Sequence, residues 1–259
     1  MSAAASMETF KSVRRKYVRN YGKPLLRRFD RFMAEQSLIA NDPIVDCALF
    51  PWTKTLEDNW QEIRSELNNV LQYRNEIPRF QDLSPDQYKI SPDDMWKTFA
   101  LFGFGYRSEL NCKLCPKTTA LLEKIPDLQT AFFSILAPGK HVPRHKGVTK
   151  GFVRCHLGLI VPKEKEKCSM DVDGHTCVWE EGQAFMFDDT FPHEVHNDTD
   201  EERVVLLIDV ERPMTRKGLI ASRLAMWILR RTAYVVDARR NQETWDERLR
   251  SRLHAEGKI

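Results

Sequence analysis

From residue 130 to about 211 the chain is a succession of short β-prone runs, TAFFSILAPG, GFVRCHLGLIVP, CSMDVDG, HTCVWEEGQAFMFDD and RVVLLIDVERP, punctuated by Gly, Pro, Asp and Asn. No helical period intervenes between them. Parallel strands need a crossover of a dozen or more residues, usually helical. Strands spaced this closely therefore predict a sandwich or barrel rather than a doubly wound sheet. The expected fold class is mainly β with flanking helices, the β-rich part closing as a jelly roll.

The flanks read as helical. Residues 8–21 carry Phe10, Val13, Tyr17 and Tyr21 at helical spacing, with Lys11, Arg15, Lys16 and Arg19 on the other face and Arg14 intruding on the stripe. Gly22 and Pro24 punctuate its end. An aromatic stripe beside a basic face suits either an anionic membrane surface or a helix docked on the domain, and both readings stand. Residues 55–75 predict one long helix, with Thr55 as its cap and Leu56, Trp60, Ile63, Leu67, Val70 and Leu71 as its stripe. A short helix opened by Pro116 is expected over 116–126. After Pro213 a helix from Gly218 to Val235 is apolar almost all round, which predicts packing on the domain with its arginines at the margin. The charged tail beyond it is expected as a solvated or frayed helix. The resulting division is 1–45, a basic amphipathic segment; 46–213, the β domain with helical support; and 214–259, a helical segment.

Composition removes several classes of function. The net charge of +3 is too small to imply nucleic acid. No apolar stretch of about 18 to 20 residues lacks charge, because Arg223, Arg230 and Arg231 interrupt the best candidate. The start, MSAAASMETF, has no apolar leader core. Six cysteines in such a chain are expected to be reduced thiols, and the expected location is the cytoplasm. Cys112 and Cys115 form a lone C-x-x-C without a second pair, so a structural turn is expected rather than a zinc or redox site.

Chemistry gathers in two places. In FVRCHLGLIV, strand alternation sets Arg154, His156 and Gly158 on one face, and an Arg and a His two apart can form an anion site. Downstream, Asp188 and Asp189 lie in a turn, His193 opens the next strand, and Arg203 stands at the mouth of an apolar run. A jelly roll can bring His145 to His193, and two neutral imidazoles with open positions suit a first-row metal such as Fe(II). Taken singly, a strand histidine is more often a hydrogen-bonded core residue, an arginine a surface charge, and Asp-Asp a turn. Only their joint order lifts the functional reading.

In that order the residues match a family. The segments SILAPGKHVPRHKG, RCHLGLIVP, WEEGQAFMFDDTFPHEVHN and RVVLLIDVERP resemble the aspartyl/asparaginyl β-hydroxylase family of Fe(II)/2-oxoglutarate dioxygenases, which includes bacterial lipid A hydroxylases. The likeness reaches back to about Phe50. It implies a double-stranded β-helix, with His145 and His193 as iron ligands and Arg203 as partner of the distal carboxylate of 2-oxoglutarate. It further implies co-substrate contacts from Ser134, Arg154 and His156, and O2 as second co-substrate. Most such oxygenases carry a carboxylate two residues after the first histidine. Here that position is Gly147, and Asp189 is the carboxylate available to hold a metal-bound water. His141 and His196 are alternative ligands.

The resemblance implies hydroxylation of an unactivated C–H bond, on a lipid acyl chain of lipid A or ornithine-lipid type. The alternative is an Asp or Asn residue of a peptide, or an amino-acid derivative, which the Gly147 departure favours. A non-catalytic β-helix that only binds a metal or ligand is the reading from another class. Lipid substrate and basic helix together predict peripheral association with the inner face of a membrane. Nucleic acid is not an expected partner.

Overall fold

The buried runs of the β-rich half pair in an order that alternates between two sheets. The computed structural model describes residues 23–83, 90–103, 105–147, 149–229 and 233–257, so the basic aromatic helix expected over 8–21 lies outside the described residues. Eight strands form the core: β4 (Leu128–Leu136), β5 (His141–His145), β6 (Phe152–Ile160), β7 (Cys168–Val172), β8 (His175–Val178), β9 (Ala184–Phe187), β10 (His193–Asn197) and β11 (Arg203–Glu211). One sheet contains the order β9-β6-β11-β4 and the other is β5-β10-β7-β8, with every ladder antiparallel. The chain thus crosses from sheet to sheet and back, which is jelly-roll topology and bears out the expected fold class. Three further strands widen the larger sheet: β1 (Ile44–Val45) beside β9, and β2 (Trp96–Gly103) followed by β3 (Tyr106–Arg107) beside β4.

Strand alternation divides the core. Val153, Cys155, Leu157 and Leu159 of β6, with Val204, Leu206 and Ile208 of β11, pack outward against the helices. Val205 and Leu207 turn the other way, to meet Val142, Met170, Val172, Trp179, Phe187 and Val195 between the sheets. This inter-sheet space is where a jelly roll holds ligands.

The helices are α1 (Lys23–Glu35), α2 (Trp52–Asp58), α3 (Trp60–Leu71), α4 (Phe80–Leu83), α5 (Glu109–Leu114), α6 (Pro116–Leu122), α7 (Arg216–Leu229) and α8 (Ala233–Ala255). The single helix expected over 55–75 is two. The first begins at Trp52, so Thr55 is an interior residue, and Asn59 (φ −114°, ψ 13°) breaks the run. The stripe is as expected, with Leu56, Ile63, Leu67 and Val70 buried.

Two other expectations are corrected. The charged tail is a docked helix: Gln242, Asp246, Leu249 and Leu253 of α8 are buried at helical spacing, and Asp246 accepts hydrogen bonds from Ser108 (2.7 Å) and Tyr106 (3.3 Å). Helix α7 is buried on one side only. Gly218, Ser222 and Met226 face the protein, whereas Ile220, Leu224, Trp227 and Ile228 are each more than half exposed. Among the described residues no helix is long and apolar enough to cross a membrane.

Candidate functional site

Strands β5 and β10 bring His145 and His193 together as registered partners, their ring centroids 4.2 Å apart. His145 Nδ1 lies 2.9 Å from the Pro143 carbonyl and His193 Nδ1 lies 2.9 Å from that of Phe191. A carbonyl oxygen only accepts, so each Nδ1 carries the proton and each Nε2 keeps its lone pair for a metal. Burial depresses both pKa values, that of His193 to about 3, with the neighbouring His145 adding to the effect. Both imidazoles are therefore neutral at neutral pH, as ligation requires.

Position 141 is four residues before His145, and an unbroken strand would point both the same way. It does not here. The β5–β10 register advances from His145 to Val142 on one strand while it advances from His193 to Val195 on the other, and this bulge reverses the alternation. His141 and His196 consequently pair on the outer face of the smaller sheet, their rings stacked 4.2 Å apart. They are not rivals for the inner position. With Glu194 they offer three ligand atoms within 4.8 Å of one another.

His156 projects from β6 into the inter-sheet space and is buried. Trp179 Nε1–H donates to its Nδ1 (3.4 Å), so the proton sits on Nε2, and that buried Nε2–H has no partner among the described residues. Burial, then the cations of Arg203 and Arg154, hold this imidazole neutral. The Phe187 ring stands between His156 and His193, at 5.1 and 5.6 Å centroid to centroid.

Arg203 opens β11 and is 3% exposed, yet no carboxylate pairs with it among the described residues. Its Nη1 donates to the Ser134 carbonyl (3.2 Å) and hydroxyl (3.4 Å), its guanidinium lies 4.6 Å from the Trp179 ring, and its Nε–H is unsatisfied. Desolvation pulls its pKa down to about 10. Ser134 Oγ also accepts from Trp96 Nε1 (3.0 Å). A buried cation and a buried imidazole N–H, both short of acceptors, cost about 1–3 kcal/mol each unless an anion supplies the missing oxygens. These orphaned donors fit a dicarboxylate such as 2-oxoglutarate, and the two free Nε2 lone pairs fit Fe(II).

Arg154 shares the face of His156, as alternation predicts, but its fork is engaged. Nε and Nη2 reach Asp209 at 2.7 and 3.0 Å, and Nη2 lies 3.3 Å from Asp189. Asp189 is pushed up to about 6, mainly by burial, against the pull of Arg154. Its turn is anchored by Asp188, which is fully buried, accepts from Thr190 N (3.0 Å) and Oγ1 (2.6 Å), and is paired with Lys150 (2.6 Å) and with Arg212.

Asp209, Trp179, Lys150 and Arg212 escaped the sequence reading. Asp209 alone carried a signal, an acidic residue on the inward parity of an otherwise apolar strand. The C-x-x-C thiols are free and buried, and burial raises both pKa values. His175 and His254 are exposed.

Residues 57–213 match the model of the aspartyl/asparaginyl beta-hydroxylase family. An ornithine lipid ester-linked acyl 2-hydroxylase of Rhizobium tropici is 42% identical over 217 residues, which cover 84% of this chain and 77% of that protein. The human aspartyl/asparaginyl beta-hydroxylase is 37% identical over 165 residues, covering 62% of this chain but only 21% of the longer protein. A cupin domain of an XRE-family transcriptional regulator from Enterobacter cloacae aligns with 45% of this chain and 96% of its own, at 17% identity and a TM-score of 0.32. With the matched segment spanning in full every strand that carries the site residues, the chain belongs to the aspartyl/asparaginyl β-hydroxylase family.

Proposed function

We propose that this protein is an Fe(II)- and 2-oxoglutarate-dependent hydroxylase that converts a C–H bond of a lipid acyl chain to C–OH. The observation that carries the cofactor assignment is the set of orphaned donors, His156 Nε2–H and Arg203 Nε–H, buried near two imidazoles with free Nε2 lone pairs. His145 and His193 hold the metal. Arg203 pairs with the far carboxylate of the co-substrate, cation to anion in a dry site where such a contact is strong. His156 donates its Nε2–H to another co-substrate oxygen, and Ser134 orients Arg203 from behind. Arg154, fixed by Asp209, keeps Asp189 beside the two histidines, where its carboxylate would hold a water. Trp179, Phe185 and Phe187 exclude bulk solvent. When bound, the iron with 2-oxoglutarate and O2 supplies the oxidising chemistry: one oxygen atom enters the C–H bond and the other enters succinate as CO2 leaves.

Three observations support a lipid substrate. The Rhizobium relative is named for such a reaction. A cleft of about 710 Å³, lined by Phe80, Leu83, Phe102, Thr130 and Phe132, runs between α8 and the β2–β4 pair. Thr130 donates to Asp209 (2.6 Å), so the cleft shares a wall with the Arg154–Asp209 end of the site. Finally, α7 turns Ile220, Leu224, Trp227 and Ile228 outward, with Arg216 and Lys217 exposed in its first turn. Its inner side rests on the segment linking His145 to β6, where Ser222 Oγ would lie 2.7 Å from a β-carbon at Gly151. An apolar face with an indole and two cations suits the interface of an anionic bilayer.

The test is incubation of the purified protein with Fe(II), 2-oxoglutarate and either ornithine lipid or an Asp/Asn-containing peptide, followed by mass spectrometry. Gain of one oxygen on an acyl chain supports the proposal. Gain on the peptide alone transfers the assignment to the β-hydroxylase alternative, and 2-oxoglutarate binding without turnover of either substrate reduces the protein to a ligand-binding β-helix.

A further inference from the structure

The outer rung of the same strand pair carries a second set of metal ligands. His141 Nε2 lies 3.4 Å from Glu194 Oε2, and His196 Nε2 lies 3.8 Å from the same oxygen. Three ligands about 2.0–2.2 Å from a tetrahedral ion stand roughly 3.3–3.6 Å apart. The set is therefore within a few tenths of an ångström of closure on both of these edges. Sheet geometry produces it: His141 and His196 are registered cross-strand partners, and Glu194, two residues before His196, projects from the same face.

We infer that His141, Glu194 and His196 form a second divalent-metal site, of a kind that takes Zn²⁺, on the outer face of the smaller sheet. Two imidazoles and one carboxylate, with a position left for water, form a donor set that zinc accepts readily, and zinc binds such sites more tightly than Fe(II). The surroundings permit it. Arg144 lies 3.8 Å from Glu194 Oε1, whereas both histidines approach Oε2, and it is itself drawn to Asp171 (3.0 Å) and Asp173 (3.6 Å). An ion here would tie β5 to β10 through side chains and so clamp the ladder whose inner face carries His145 and His193. The bulge that reverses β5 creates both sites at once, one wet and one dry. This inference does not rest on the inner site's function.

The experiment is a Zn²⁺ titration against a chromophoric chelator, with Zn²⁺ as the only metal. The intact protein is expected to take up two equivalents, and His196→Asn, His141→Asn or Glu194→Gln one, with the tighter outer binding weakened at least tenfold. The His145→Ala/His193→Ala protein is expected to retain the equivalent that His196→Asn removes. Far-UV circular dichroism and a thermal melt accompany each variant. Uptake of a single equivalent by the intact protein, unchanged in His196→Asn, would overturn the inference. So would two equivalents that His196→Asn, His141→Asn and Glu194→Gln leave intact.

Discussion

The Asp189 carboxylate fills the space that a side chain at Gly147 would need: a β-carbon on Gly147 would lie 2.2 Å from Asp189 Cγ and Oδ1. Backbone reinforces the approach, since Gly147 N donates to the Asp189 carbonyl at 2.7 Å. The position where most 2-oxoglutarate oxygenases carry a carboxylate is thus empty of side chain because a carboxylate from another strand end occupies the volume. Gly147→Ala should destabilise the fold by about 1–3 kcal/mol through overpacking. Asp189→Ala in the same chain should recover part of that, and a double-mutant cycle of thermal melts measures the coupling. Additive effects would show that the two positions do not compete.

Asp189 also predicts a pH dependence. Its folded pKa, near 6, lies above that of an unfolded aspartate, so the folded state holds the proton more tightly. Ionisation between about pH 4 and 6 therefore removes stability as pH rises. In metal-free protein, Asp189→Asn should be more stable than the parent at pH 7.5, by up to about 3 kcal/mol, and equal to it near pH 4. Denaturant melts at the two pH values check this, and a variant less stable at pH 7.5 would contradict it.

Arg203 separates binding from stability. It is a buried cation without a carboxylate partner among the described residues. Arg203→Met should leave the metal-free melting temperature unchanged or raised, because replacing a buried charge by an apolar side chain of similar volume is often neutral or stabilising. Co-substrate affinity should fall about a hundredfold or more. Loss of stability with unchanged 2-oxoglutarate binding, read by calorimetry, would make Arg203 structural.

The exposed face of α7 is tested apart from the chemistry. Ile220→Glu/Leu224→Glu should abolish co-sedimentation with phosphatidylglycerol-containing vesicles at low salt, while binding of Fe(II) and 2-oxoglutarate stays as in the parent. Unchanged sedimentation would remove α7 from the membrane account and leave the N-terminal basic segment to carry it.

Much of the site was legible because strand alternation is a strict code. Arg154, His156 and Gly158 share the inward face of β6 as their spacing requires, and the separation of His145 from His193 by 48 positions is closed by the sheet crossing of a jelly roll. What alternation could not reveal is where it breaks. The β5 bulge sends His141 outward although its spacing from His145 is even, and the mark of it in HVPRH is Pro143, which lies inside the bulge and has no N–H to give the ladder. The engagement of Arg154 with Asp209 and Asp189 was equally hidden, because a cross-strand ion pair depends on register. Helix α7 misled for another reason. An all-round apolar pattern normally signals burial, and here one side of it faces outward.

The central claim is that His145 and His193 hold Fe(II) for 2-oxoglutarate bound by Arg203. Anaerobic titration of the purified protein with Fe(II) and 2-oxoglutarate, followed by visible absorption, tests it most directly. A weak charge-transfer band is predicted, lost in His145→Ala and His193→Ala, weakened in Arg203→Met and retained in His141→Asn and His196→Asn. No band in correctly folded protein, or a band lost with His141 or His196 and kept without His145, would contradict the account.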